Sequence, residues 1–270
     1  MLNLIKMDLY RLFRTKSFKI GLIISLAISF LFVAVVAAIS NLIPLFPEST
    51  QAAMSVLPFA DWRNNVNLFE LILSSTAVLS LLVSAVLASN FISDEQANGY
   101  VKNIAGQLKN KGMMNVSKFV ALAVMTFFVL LAYTVGSTIG GLVFLNNAVN
   151  YEGLNQFLAV FGTKYLIYLA VNAIILFLST LTKSKSVSIA FGALFGSGAT
   201  VFAYSAISTF AALALKCDVN IASYIPDGLI FGLTMDAPST ALIKAIVVGV
   251  VYIAVFMILS MILMKKRDTK

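Results

Sequence analysis

Ser93–Lys118 reads SDEQANGYVKNIAGQLKNKGMMNVSK, a polar island set between two long apolar segments. A chain that surfaces here and then re-enters apolar sequence is built to cross a membrane repeatedly, so this stretch decides the fold. Ser93 followed by Gln96 has the spacing of a capping box, which predicts a helix start. Asp94 and Glu95 then fall at the positive end of the helix dipole, and Lys109 and Lys111 near the negative end. At about 100° per residue, Ala97, Val101, Ile104 and Leu108 share one stripe, while Glu95, Gly99, Lys102 and Gly106 project from the other side. The expectation is a short amphipathic helix over residues 93–112, lying at the membrane surface. Two roles are open to it. Its glycine-bearing outer face lets another protein's backbone approach closely, or it is a solvated connection between two spans.

Composition narrows the classes of function. Hydrophobic residues make up 60% of the 270, charged residues only 11%, and mean hydropathy is +0.96, which describes an integral membrane protein. The chain has no histidine, which excludes His-ligated zinc, Ser-His-Asp triads and Cys-His pairs. Its single cysteine, Cys217, excludes an internal disulfide and a CxxC motif. No G-x-x-x-x-G-K-[ST] loop occurs, so no nucleotide-binding P-loop is recognisable.

Charge is absent from residues 20–47, 71–93, 119–151, 165–182, 186–215 and 245–264. A helical span needs about 20 residues, so six transmembrane helices are predicted, the fourth being the shortest. The first interval is too long for a signal h-region and lacks a small-residue cleavage site, so it reads as a retained span. Fifteen of the nineteen Lys and Arg residues then lie on one side: in the N-terminal segment, the island, the pair Lys183 and Lys185, and the tail. Only Arg63, Lys164, Lys216 and Lys244 are assigned to the other. The positive-inside rule places both termini and the island in the cytoplasm. The net charge of +8 follows from this topology and calls for no nucleic-acid partner.

Within residues 1–17, Leu2, Ile5, Leu9, Leu12 and Phe13 recur at helical spacing, with Lys6, Arg11 and Arg14 largely outside the stripe. That describes an interfacial helix on anionic lipid or a basic topology anchor. On the outer side, Trp62 reads as an interface anchor beside Asp61 and Arg63. Glu70, at the outer end of the second span, faces either solvent or a path. Three G-x-x-x-G pairs are present, Gly136 with Gly140, Gly192 with Gly196, and Gly228 with Gly232, and such pairs favour close helix packing. Tyr133, Asn172 and Tyr204 are polar groups within spans, suited to interhelical hydrogen bonds or to lining a path. Residues 216–241 contain GLIFGLTM, which is apolar but too short to cross, and suggest an extracellular or re-entrant helical insertion before the last span.

The order of parts resembles an ABC-2 type permease, the membrane subunit of an ATP-binding-cassette exporter. The shared features are the basic amphipathic N-terminal helix, six spans with cytoplasmic ends, an outer insertion before the last span, and the E-x-x-x-G segment Glu95–Gly99 continuing GYVKNI. The resemblance implies an all-α integral membrane fold in one permease domain over residues 1–270. It implies that the helix after the second span is a coupling helix for an ATPase, with Asp94, Glu95, Gly99, Tyr100, Lys102 and Gly106 as candidate contacts. Where the family often has Thr after the glycine and an Arg-rich stretch beyond, this chain has Tyr100 and a Lys-rich stretch. The implied partners are an ABC ATPase subunit, a second copy or a similar permease, and the bilayer of a bacterial cell membrane. The chain itself would bind no cofactor and would not be an enzyme; ATP and Mg belong to the partner. Among the family's cargoes, the apolar spans suit amphipathic or antimicrobial peptides and hydrophobic drugs, moved by export.

Other classes differ in what they require. A secondary transporter or channel places ionisable residues inside its spans, and by the charge-free intervals these spans have none. An intramembrane enzyme needs a catalytic set, for which Ser184 between two lysines is a formal candidate only. A membrane immunity protein that sequesters peptides without transport shares the same composition.

Overall fold

The computed structural model describes residues 1–46, 66–76, 79–97, 111–145, 149–182, 184–215 and 220–266. Arg63, Trp62, Cys217, Lys216, Gly99, Tyr100, Lys102 and Gly106 lie outside them. The described chain is helical almost throughout: α1 (Leu2–Arg14), α2 (Lys16–Leu42), α3 (Leu68–Ser75), α4 (Leu79–Ala97), α5 (Met113–Phe144), α6 (Leu154–Thr182), α7 (Lys185–Gly196), α8 (Ala199–Leu215), α9 (Pro226–Leu229) and α10 (Ser239–Lys266). Four helices, α2, α5, α6 and α10, are each long and apolar enough to cross a membrane. Two bent pairs, α3 with α4 at 44° and α7 with α8 at 63°, bring the number to six if each pair is one span. Most described residues of the predicted apolar intervals lie in helices, with Val149 and Asn150 of the third interval in a strand.

Small residues set the packing. The most extensive helix contacts are α2 on α5, α6 on α10, and α4 on α7. A Cβ at Gly136 would strike the Ser29 hydroxyl and approach the Leu26 carbonyl to 2.5 Å, and one at Gly140 would come 2.9 Å from Val33 Cβ. Gly192 and Gly196 similarly bring α7 against the backbone of Ala85 and Leu82 on α4. Lipid offers helices no hydrophobic drive to associate, so such close approach supplies the dispersion contacts that hold them. The third pair does not join two long helices: Gly228 packs on the Ala222 carbonyl within the insertion before α10, and the Cβ position of Gly232 meets nothing within 4 Å.

α6 is the most enclosed of the four long helices and α10 the most exposed. Phe202, Phe210 and Leu213 on α8 are 79%, 71% and 80% exposed, and Ile243, Val247 and Ile258 on α10 are also largely open. Apolar surface of this extent is stable in lipid, where exposure of large side chains carries no penalty.

Several expectations are corrected. Ser93 does not cap a new helix: α4 runs through it to Ala97, and its hydroxyl is buried. A serine caps only where the chain enters from extended backbone; here Glu95, Gln96 and Ala97 are good helix formers that simply prolong the helix. α5 likewise begins at Met113, so Lys118 is a buried helical residue and not a connecting charge. The fourth apolar stretch is longer than its charge-free interval, because α6 begins at Leu154 and carries Lys164 inside it. The insertion before α10 is broken into a 3-10 turn at Ile221–Tyr224, the single turn α9, and a second 3-10 turn at Ile230–Gly232. One element has no counterpart in the sequence reading: Val66–Asn67 (β1) pairs in parallel with Val149–Asn150 (β2), and Asn67 Nδ2 also donates to the Glu152 carbonyl at 2.8 Å.

Candidate functional site: a buried polar seam at a broken helix

On α5 the residues Asn115, Thr126, Tyr133 and Ser137 fall within about 40° of one another at helical periodicity. On α6, Lys164, Tyr168 and Asn172 at intervals of four form a second stripe, and Thr180 lies further along the helix, off that stripe. All eight are buried. The two helices bring these stripes together along their length. Asn115 Nδ2 donates to the Ser260 hydroxyl on α10 at 2.5 Å and to the Thr180 hydroxyl at 3.3 Å. Further along, Asn172 Nδ2 donates to the Thr126 hydroxyl at 2.7 Å, and Thr126 lies 3.4 Å from Ser84 on α4. At the far end the Ser137 and Ser75 hydroxyls are 2.6 Å apart.

Between these points the seam meets the break between α3 and α4. A helix that ends inside the protein leaves carbonyl oxygens without their usual partners, and in a membrane these must be satisfied internally. α6 supplies the donors. Lys164 Nζ donates to the Leu73 carbonyl at 2.7 Å, and one turn later the Tyr168 hydroxyl donates to the Thr76 carbonyl at 2.5 Å. Ser80 Oγ shares the Thr76 carbonyl at 2.9 Å and is also hydrogen-bonded to Tyr168. Thr76 Oγ1 backs up the first site by donating to Leu73 at 3.0 Å. Lys164 is 2% exposed and pairs with no carboxylate among the described residues.

Of the residues singled out from sequence, Tyr133 and Asn172 belong to this seam. Asn172 bridges helices, whereas the buried Tyr133 hydroxyl has no hydrogen-bond partner among the described residues. Glu70 is half-exposed in the first turn of α3, one turn from Leu73. Tyr204 stands elsewhere, on α8 beside Asp227. Sequence reading missed Lys164, Tyr168, Thr126 and Ser80. The spacing Lys164, Tyr168, Asn172 at intervals of four was the available signal.

A second cluster lies at the end where α1 sits. Asp8 is buried and accepts from the Ser117 hydroxyl at the start of α5. The Arg11 guanidinium lies over the Phe91 ring, 4.2 Å from its centroid, and reaches the Phe91 carbonyl at 3.4 Å. α1 is therefore locked to the bundle through Asp8, Arg11 and Leu12, and Arg11 faces inward. Asp94, near the end of α4, pairs with Lys185 at the start of α7 at 2.5 Å.

In the insertion before α10 Asp227 is fully buried and accepts from the Thr200 hydroxyl, with Tyr204 and Tyr252 near it. Burial holds its carboxyl above the usual range, and the bond from Thr200 opposes part of that rise. Among the described residues no group of three or more His, Cys, Asp or Glu side chains is arranged to hold a metal ion. No protein-family model and no curated protein matches this sequence.

Proposed function

We propose that this chain is the membrane subunit of an ATP-driven exporter of the ABC-2 type. It would form a translocation path with a second copy or a similar permease, and take its power from a separate ATPase that binds ATP and Mg. The observation that carries the reading is the clamped end of the bundle. Asp8 to Ser117, Arg11 to Phe91 and Lys185 to Asp94 tie α1, α5, α4 and α7 into one unit around the two helix ends that flank the polar island. A force applied to the island would therefore move several helices as a rigid body. Glu95, Gly99, Tyr100, Lys102 and Gly106 remain the proposed contacts with the ATPase. The cargo is an amphipathic or antimicrobial peptide, or a hydrophobic drug, exported across the cell membrane from a chain whose termini are cytoplasmic.

The test is co-purification with a P-loop ATPase encoded beside it, followed by Gly99→Trp. The expected outcome is loss of at least about tenfold in ATPase association, since a buried bulky side chain at a docking face costs more than 1.4 kcal/mol, with membrane insertion unchanged. ATP hydrolysis by the isolated chain, or full association of the Gly99→Trp variant, would refute the reading.

One observation favours a second reading, an ion-coupled transporter. The argument against it relied on spans without ionisable groups, and Lys164 stands buried inside α6 at a broken helix, an arrangement suited to coupling sites. Ion-gradient-driven transport by the reconstituted chain without any ATPase would decide for it.

A further inference from the structure

A lysine buried in a membrane protein without a carboxylate is expensive, and a methionine would fill the same space at no electrostatic cost. Its presence at the α3–α4 break therefore asks for a use. α3 closes one end of the seam. Leu71, Ile72 and Leu73 are buried, Ser75 meets Ser137 on α5, and Phe69 stacks on Phe157 of α6 with centroids 4.7 Å apart. The side chains that pin its end to α6 are Lys164 and Tyr168.

We infer that Lys164 and Tyr168 form a two-point latch on the carbonyls of Leu73 and Thr76, and that α3 opens away from α6 by releasing it, admitting water to the seam. The two points act in opposite senses. Tyr168 gives a hydrogen bond between neutral groups, which favours the closed form alone. Lys164 also gives a bond in the closed form, but its ammonium is stripped of water there and regains hydration on opening. In water the ammonium satisfies all three of its N–H donors, whereas in the closed form it has the Leu73 carbonyl as its one hydrogen-bond acceptor among the described residues, so closing returns less than hydration gives. The latch is thus loaded toward opening by its own cation, and the tyrosine, the serine pair and the apolar packing of α3 hold it shut. That makes α3 a two-state element of the kind a transport cycle requires. The latch is a property of this chain alone, so it holds or fails independently of which partner drives transport.

The experiment uses the full chain in lipid vesicles, with Cys217→Ser to remove the native thiol and Ser75→Cys as a reporter at the end of α3; both changes form the common background against which every variant is compared, so the loss of the serine pair is the same in all. Labelling by an anionic, water-soluble thiosulfonate reads the open population. Tyr168→Phe is expected to raise the labelling rate about fivefold to tenfold, the equivalent of one hydrogen bond. Lys164→Met is expected to lower it about tenfold or more, because no cation remains to be hydrated. Lys164→Gln, which keeps a donor and loses the charge, is expected to lower it too, and serves if the methionine variant does not insert. A lysine that only braced the fold would give the opposite result on removal. Faster labelling in Lys164→Met or Lys164→Gln, or rates unchanged in all three variants, would overturn the proposal.

Discussion

Replacing Gly136 by alanine adds one methyl group at the point where α5 crosses α2. The added Cβ would lie 2.5 Å from the Leu26 carbonyl oxygen and would also strike the Ser29 hydroxyl. The serine can rotate, but the carbonyl belongs to the α2 backbone and cannot. A carbon and an oxygen at van der Waals contact stand about 3.3 Å apart, so the axes must separate by about 0.8 Å. A gap of that size forfeits a quarter to a half of the dispersion energy at each contact along the crossing. The cost belongs in the upper half of the usual overpacking range of about 1–3 kcal/mol. At Gly140 the nearest obstacle is Val33 Cβ at 2.9 Å, with the Phe30 carbonyl at 3.4 Å, so Gly140→Ala falls in the lower half. Gly162 on α6 meets nothing within 4 Å, so Gly162→Ala is expected to stabilise by about 0.5–1 kcal/mol, the helix-propensity gain of alanine over glycine. Reversible unfolding in mixed micelles would rank the three. Equal stability of Gly136→Ala and Gly162→Ala would refute the assignment of the α2–α5 crossing to a glycine contact.

Two further outcomes follow from the polar contacts. Asp227 has a raised pKa in the folded chain, so the folded state holds more protons than the unfolded one between the ordinary carboxylate value and the raised value. Stability contributed there is present at acid pH and lost as pH rises through the folded pKa. Protection factors over residues 220–238, which are corrected for the intrinsic pH dependence of amide exchange, should fall across that window, and Asp227→Asn should remove that fall. Arg11→Ala removes a cation–π contact worth about 1 kcal/mol at a partly exposed site, so amide exchange in α1 is expected to rise about fivefold, with Arg11→Lys intermediate. Unchanged exchange would mean that Asp8 and Leu12 alone fix α1.

The membrane class and the positions of the apolar helices were legible, because run length without charge is a direct physical requirement of lipid. What escaped was everything that depends on where a backbone carbonyl ends up. Counting charges treats every lysine as the edge of a span, and Lys164 defeats that rule because the Leu73 carbonyl at the end of α3 accepts its ammonium inside the bundle. Ser93 failed for the complementary reason: its capping value exists only at a helix start, and nothing local tells a start from a continuation. The bend at Ser197–Gly198 rests on a positive φ of 73° at Gly198, one glycine among fifteen. Tyr133 and Asn172 were recognisable as polar groups in spans, but their alignment with Thr126 and Tyr168 needed the packing of α5 on α6. The contacts expected of Gly99 to Gly106 fall outside the described residues, so the clamped end of the bundle stands in for them.

The short parallel pairing of Val66–Asn67 with Val149–Asn150 ties the chain just before α3 to the chain just before α6. The two helices that share the latch therefore depart from a common pivot, and one can move relative to the other only as a lever about it. α3 has eight residues, hence an arm of about 12 Å. A rotation of about 15° displaces its tip by roughly 3 Å, enough to break a hydrogen bond of ordinary length. Leverage of this kind lets a small turn at the strand pair become an all-or-none event at Leu73 and Thr76.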